Sequence, residues 1–283
     1  MPMTLPAAID KSTWDRSLPR WWVAAAVVRR DYLITRSYRL PFVLDAFYGL
    51  LELAVYFFIS RTLRGAVSAD LGGAPNYFAF AAIGIAVSVV VAAAASGLAR
   101  QLREEQLTGT LEVLVAHPLT TAETCLGLAG FPLLFAVGRA FVYLNVAAVW
   151  MDLDLSRISW PGLILILVVT GTSLSILGIL SGAIVLVLKR GEILAGMLLV
   201  AMTVLCGSVF PISSLPGWLE PFGKVLPLRF AFDGVRAALF RGEGWETDFF
   251  VLLGFSVFGL AVAIAIFDRA LRVSRRTGSL GQY

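Results

Sequence analysis

The sequence predicts an all-α membrane protein with six transmembrane helices, and three observations predict it. Of 283 residues, 58% are hydrophobic and only 15% are charged, well under the roughly 25% charged content of soluble domains. Mean hydropathy is +0.83, and the apolar residues come in runs that meet the length of about 20 residues needed to cross a bilayer. Cations also cluster in the connections that the resulting topology puts on one side, the pattern of the positive-inside rule.

Residues 1–17 read as a cytoplasmic tail, because Asp10, Lys11, Asp15 and Arg16 stand where a signal peptide would carry its apolar core. Residues 18–38 are too charged to cross but place Trp21, Ala25, Val28 and Tyr32 on one helical face. That pattern predicts an interfacial helix with Trp21 and Trp22 as headgroup anchors. A six-span domain follows over 39–270, with spans at roughly 40–61, 76–99, 123–150, 160–188, 192–210 and 248–268. Lys189-Arg190-Gly191 is then a tight basic hinge, and an even number of spans puts both termini on its side. Residues 271–283 form the second cytoplasmic tail. Arg100, Arg103, Lys189, Arg190 and the basic ends of the chain outnumber the cations of the opposite loops, which makes their side the cytoplasm. The basic isoelectric point, about 9.3, thus follows from topology and anionic lipid headgroups, so nucleic acid is not an expected partner. Cys125 and Cys206 fall at opposite faces, too far apart for a disulfide.

Between the second and third spans, Leu107, Leu111, Leu114 and Val115 follow one helical stripe while Glu104, Glu105, Thr108 and Glu112 lie off it. A short amphipathic helix over 103–118 is expected, weakened in its middle by Gly109 and stopped by Pro118. Thr120-Thr121-Ala122-Glu123 supplies a capping box for the next span. Asp45 and Glu52 share a face of the first span, and Arg139 lies within the third. Charges at that depth need partners, and Glu52 is expected to pair with Arg139. Before the last span, Pro211, Pro216, Pro221 and Pro227 cut 211–241 into pieces, predicting two short helices. The second puts Phe232, Val235 and Leu239 on one face and Arg229, Asp233 and Arg236 on another. Gly178-Ile-Leu-Ser-Gly182 predicts a close helix approach within the fourth span.

The run Gly109-Thr110-Leu111-Glu112-Val113-Leu114, followed by Pro118-Leu119 and the Glu123 to Gly127 start of a span, resembles the GTLE-x-L…P signature of type-2 ATP-binding-cassette exporter membrane subunits. Pro227 to Arg236 is similar to the P-L…D-x-x-R segment of the same family. The resemblance implies the drug, lipid and glycoconjugate exporter branch, a bacterial or archaeal plasma membrane, and a dimer of permeases above two separate ATPase subunits. It makes 103–118 a coupling helix, with Glu104, Glu105, Gly109, Thr110, Glu112, His117 and Pro118 at the ATPase contact. For His117, a structural role beside Pro118 is the competing reading. Pro227, Asp233 and Arg236 become an extracellular gate. No cofactor is expected on this chain, and ATP with its Mg belongs to the partner.

The chain has three lysines, Lys11, Lys189 and Lys224, and none follows a G-x-x-x-x-G-K-[ST] pattern. Neither a nucleophile elbow nor a His or Cys metal set is present in the sequence. A transport subunit that is no enzyme itself and borrows ATP energy is therefore the expectation. The alternatives are a proton-coupled carrier using Asp45, Glu52 and Arg139, a non-transporting scaffold, and a polysaccharide-exporting permease. The last rests on the first span's aromatic residues, Phe42, Phe47, Tyr48, Tyr56, Phe57 and Phe58.

Overall fold

The computed structural model describes residues 21–37, 39–62, 71, 73–110, 120–188 and 191–277. All regular structure among them is helical. α1 (Trp21–Ser37) precedes α2 (Arg39–Thr62), α3 (Tyr77–Leu107), α4 (Thr121–Trp150), α5 (Trp160–Leu188) and α6 (Gly191–Leu205). A 3-10 turn at Ile212–Ser214, α7 (Glu220–Val225), α8 (Pro227–Arg236), a π turn at Ala237–Arg241 and α9 (Glu246–Thr277) complete the chain.

Five of these helices, α2, α3, α4, α5 and α9, are long and apolar enough to cross a membrane. The expected fifth span, 192–210, is helical only from Gly191 to Leu205, about 22 Å of helix. It stops where Gly207 adopts φ +80°, a left-handed conformation that ends a helix, with Pro211 just beyond. The basic hinge at 189–190, residues 1–20 and the last six residues lie outside the described residues.

α3 is the axis of the bundle. From Phe78 to Leu102 it is buried on almost every side, and α4, α5, α2, α6 and α8 all pack on it. Small residues make this possible. Gly178 of α5 lies against the carbonyl of Ala94, and Ser181 Oγ donates to the Ala95 carbonyl at 3.3 Å, so the predicted close approach is α5 on α3. Gly97 faces Pro132 of α4, where a Cβ would come within 3.2 Å. α9 packs chiefly on α5. α2 lies at the rim, with Leu44, Phe47, Tyr48, Leu51, Val55 and Phe58 exposed, the composition expected of a face turned to lipid tails.

The helix starts obey local chemistry. Asn76 caps α3 by accepting from Ala79 N at 2.8 Å, and the predicted capping box forms in both directions. Thr120 Oγ1 accepts from Glu123 N at 3.2 Å, while Glu123 Oε2 accepts from Thr120 N at 2.8 Å. One expectation changes. Residues 103–107 do not begin a new helix but end α3, which runs unbroken for 31 residues. Gly109, with φ +72°, closes it, since Gly109 N donates to Gln106 O and Thr110 N to Glu105 O. That is a Schellman closure, for which glycine is the preferred residue because it lacks a Cβ. α1 packs on α4 through one side and leaves part of the other open. Val27 and Val28 pack on Gly127 and Gly130 of α4 and Asp31 is buried, whereas Ala25 and Tyr32 are exposed. The tryptophan side chains of α1 lie outside the described residues.

Candidate functional site

Three polar constellations stand out in an otherwise apolar bundle. The first sits where α1 meets the end of α3. Arg30 Nη2 donates to Glu105 Oε1 at 2.6 Å, and Arg30 Nε donates to Asp31 Oδ1 at 2.9 Å. Gln101 Nε2 reaches Asp31 Oδ2 at 3.4 Å. Thr110 Oγ1 donates to the second oxygen of Glu105. Glu105 thus ties α1, the last turn of α3 and the Thr108–Thr110 turn into one body. One guanidinium serves two buried carboxylates, whose side chains are 5% and 8% exposed. Burial pushes the Asp31 carboxyl above its usual range, an effect that Arg30 offsets in part and the charge of Glu105 reinforces.

The placement divides the expected ATPase-contact residues. Glu104, Gly109 and Thr110 are exposed at the end of α3, as a docking surface requires. Glu105 is not: it turns inward to Arg30. Glu112, His117 and Pro118 lie outside the described residues. Sequence reading passed over Arg30, Asp31 and Gln101. The available signal was an acidic residue, Asp31, set directly after two arginines in a basic interfacial segment.

The second constellation is inside the membrane. Arg139 pairs with Asp45, not with Glu52. The reason is directional. Helical side chains lean toward the N-terminus of their helix, so Arg139 reaches back along α4, and α2 runs parallel to it with Asp45 two turns before Glu52. Tyr143 OH donates to the carbonyls of Asp45 and Ala46, each at 3.4 Å. Gly49 is what lets Tyr143 in, because any Cβ there would collide with the ring. Glu52 is half-buried and makes no hydrogen bond or ion pair among the described residues. Between these two constellations lies a cleft of about 780 Å³ bounded by α1, α2, α3 and α4.

The third constellation is at the opposite face. Arg236 is 3% exposed. Its Nη2 donates to the carbonyl of Gly207 at 2.6 Å and its guanidinium lies 3.7 Å from the Phe80 ring centroid. Asp233 stands 3.7 Å from its Nη1 and also accepts from Arg229 Nε at 3.0 Å. Burial lowers the Arg236 pKa to about 10, so it stays a cation at neutral pH. Arg236 therefore leaves the polar face of α8 that sequence assigned it and pins the turn after α6 against the start of α3. Gly84 accommodates that contact, since its Cα faces the Ser208 carbonyl directly. Pro227 opens α8, where its missing N–H costs nothing.

Residues 24–240 match the model of the family described as ABC-2 type transporter. The chain belongs to that family. Nodulation protein J of Sinorhizobium fredii (strain NBRC 101917 / NGR234) is 24% identical over 256 residues, covering 88% of this chain and 94% of that protein. ABC transporter G family member 20 of Dictyostelium discoideum is 26% identical over 224 residues, which is 74% of this chain but 30% of that longer protein. This ABC-2 permease is thus a membrane-embedded transport subunit, of a family that works with an ABC ATPase partner.

Proposed function

We propose that this ABC-2 permease is the membrane half of an exporter that moves an amphipathic drug, lipid or glycolipid outward, driven by a separate ATPase beneath it. Two copies of the permease would sit above two ATPase subunits in a prokaryotic plasma membrane, with both termini cytoplasmic; the distribution of Lys and Arg supports that sidedness. The carrying observation is the hub at Glu105. A push received by the exposed turn at Thr108–Thr110 reaches α1 through Glu105 and Arg30, and the bundle axis through α3, along hydrogen bonds that tie these parts together. Rigid elements of that kind pass a partner's closure on to a membrane domain. A proton-coupled carrier has less to use, because Asp45 is held ionised in a pair with Arg139 and is no free proton acceptor.

The test is co-expression with a candidate ATPase, co-purification, and transport into inverted vesicles. The expected result is a stable complex whose cargo uptake needs ATP and stops with vanadate. Uptake that persists without ATPase and collapses with the proton gradient would establish the carrier instead.

A further inference from the structure

We propose that the cleft between α1, α2, α3 and α4 binds amphiphilic organic cations, with Asp45 as the counter-charge and Phe131 and Phe135 as the apolar platform. The proposal rests on the reading of the chain as a permease for amphipathic cargo, and narrows that cargo to positively charged molecules.

Size comes first. About 780 Å³ falls within the range of pockets that hold drug-sized ligands. Its α3 wall carries Ala92, Ala93 and Ser96, small side chains that leave the volume to a guest. The rings of Phe131 and Phe135 lie 6.1 Å apart at 27°, a stacked pair that suits a flat apolar body, with the Arg139 guanidinium 5.8 Å from the Phe135 centroid as a cation already at that ring.

Charge decides the sign of the guest. Three guanidinium groups and four carboxylates line the cleft, so with all of them ionised the carboxylates are in excess by one. At the deep end the asymmetry is sharper: the Arg139 side chain is 16% exposed and that of Asp45 56%. Both halves of the pair line the cleft, and the carboxylate is the more open of the two. A carboxylate among apolar side chains at membrane depth attracts a cation more strongly than one in water, because the surroundings screen it poorly. The same field repels anions of equal shape.

Tetraphenylphosphonium and tetraphenylborate share size and shape and differ in charge. Full-length protein in phosphatidylcholine nanodiscs should bind the phosphonium saturably, and about tenfold or more tightly than the borate. Asp45→Asn should weaken phosphonium binding about tenfold, while Asp45→Glu retains it. Asp45→Asn also strips Arg139 of its partner and puts folding at risk. Ser96→Phe is therefore the second variant: it fills the cleft, leaves every charge in place, and should abolish phosphonium binding in a protein that elutes and melts like the wild type. Equal affinity for the borate, which would mark an anion site at the Arg30 and Arg100 rim, overturns the proposal, as does wild-type phosphonium binding in a folded Ser96→Phe protein. Either result alongside intact ATPase co-purification leaves the permease reading standing. Lost co-purification with phosphonium binding intact does the reverse.

Discussion

Arg30 illustrates how much one side chain decides. It is the shared counter-charge of Asp31 and Glu105, and removing it leaves two buried carboxylates facing each other. Breaking a buried pair costs about 3–5 kcal/mol, and the partial exposure of Arg30 puts Arg30→Met toward the lower end. Glu105→Gln, which leaves Arg30 paired with Asp31, should cost less. Thermal melting in detergent ranks the two, and equal losses would contradict the shared role. Asp31 adds a pH dependence with a definite sign. Its folded pKa lies above the unfolded one, so its contribution is fully present below the unfolded value and is lost as pH rises through the folded value. Asp31→Asn should therefore gain on the wild type in melting temperature as pH rises from the ordinary carboxylate value near 3.8 through the higher folded one; a constant difference would refute it. Little of this was legible in the sequence, since pairing depends on which helix lies beside which. The Asp45 partner of Arg139 was within reach, had side-chain direction been weighed alongside depth.

Helix boundaries divide into those set locally and those set by packing. The capping box at Thr120 and the glycines of α5 were read correctly because their chemistry is complete within a few residues. Gly109 was misread because a glycine at a C-terminus and one in a weak helix middle look alike until φ is known. The amphipathic stripe from Leu107 onward hid the fact that α3 had not yet ended. Gly178→Leu should be costly, as α5 would have to move off the Ala94 carbonyl: overpacking of this kind costs about 1–3 kcal/mol or more. Gly254→Ala is the control, with open space around it, and a helical Gly→Ala change is neutral to stabilising. Equal melting temperatures for the two variants would mean that α5 does not rely on the close approach.

At the scale of the molecule, composition and hydropathy alone gave the membrane class, and two short motifs gave the family. The span count is the part of that reading that the helices leave open, because the described helix in the run from 192 to 210 ends at Leu205, ahead of a turn at Gly207 that hydropathy does not register. The bundle now has a charged, rigid corner at the Glu105 hub, a cleft above it, and a pinned turn at the far face held by Arg236. The central claim is that force enters at that corner, through the exposed turn and the residues after it. Charge reversal at Glu104 and Glu112 tests this directly, with pull-down of the ATPase and vesicle export as the readouts. Both substitutions should leave the permease folded and inserted while export falls by more than about tenfold, the effect of several kcal/mol lost at a protein contact. Arg157→Glu, an exposed site at the opposite face, should export like the wild type. Wild-type assembly and export in both Glu104→Lys and Glu112→Lys would show that the segment is a passive connector and that the drive enters elsewhere.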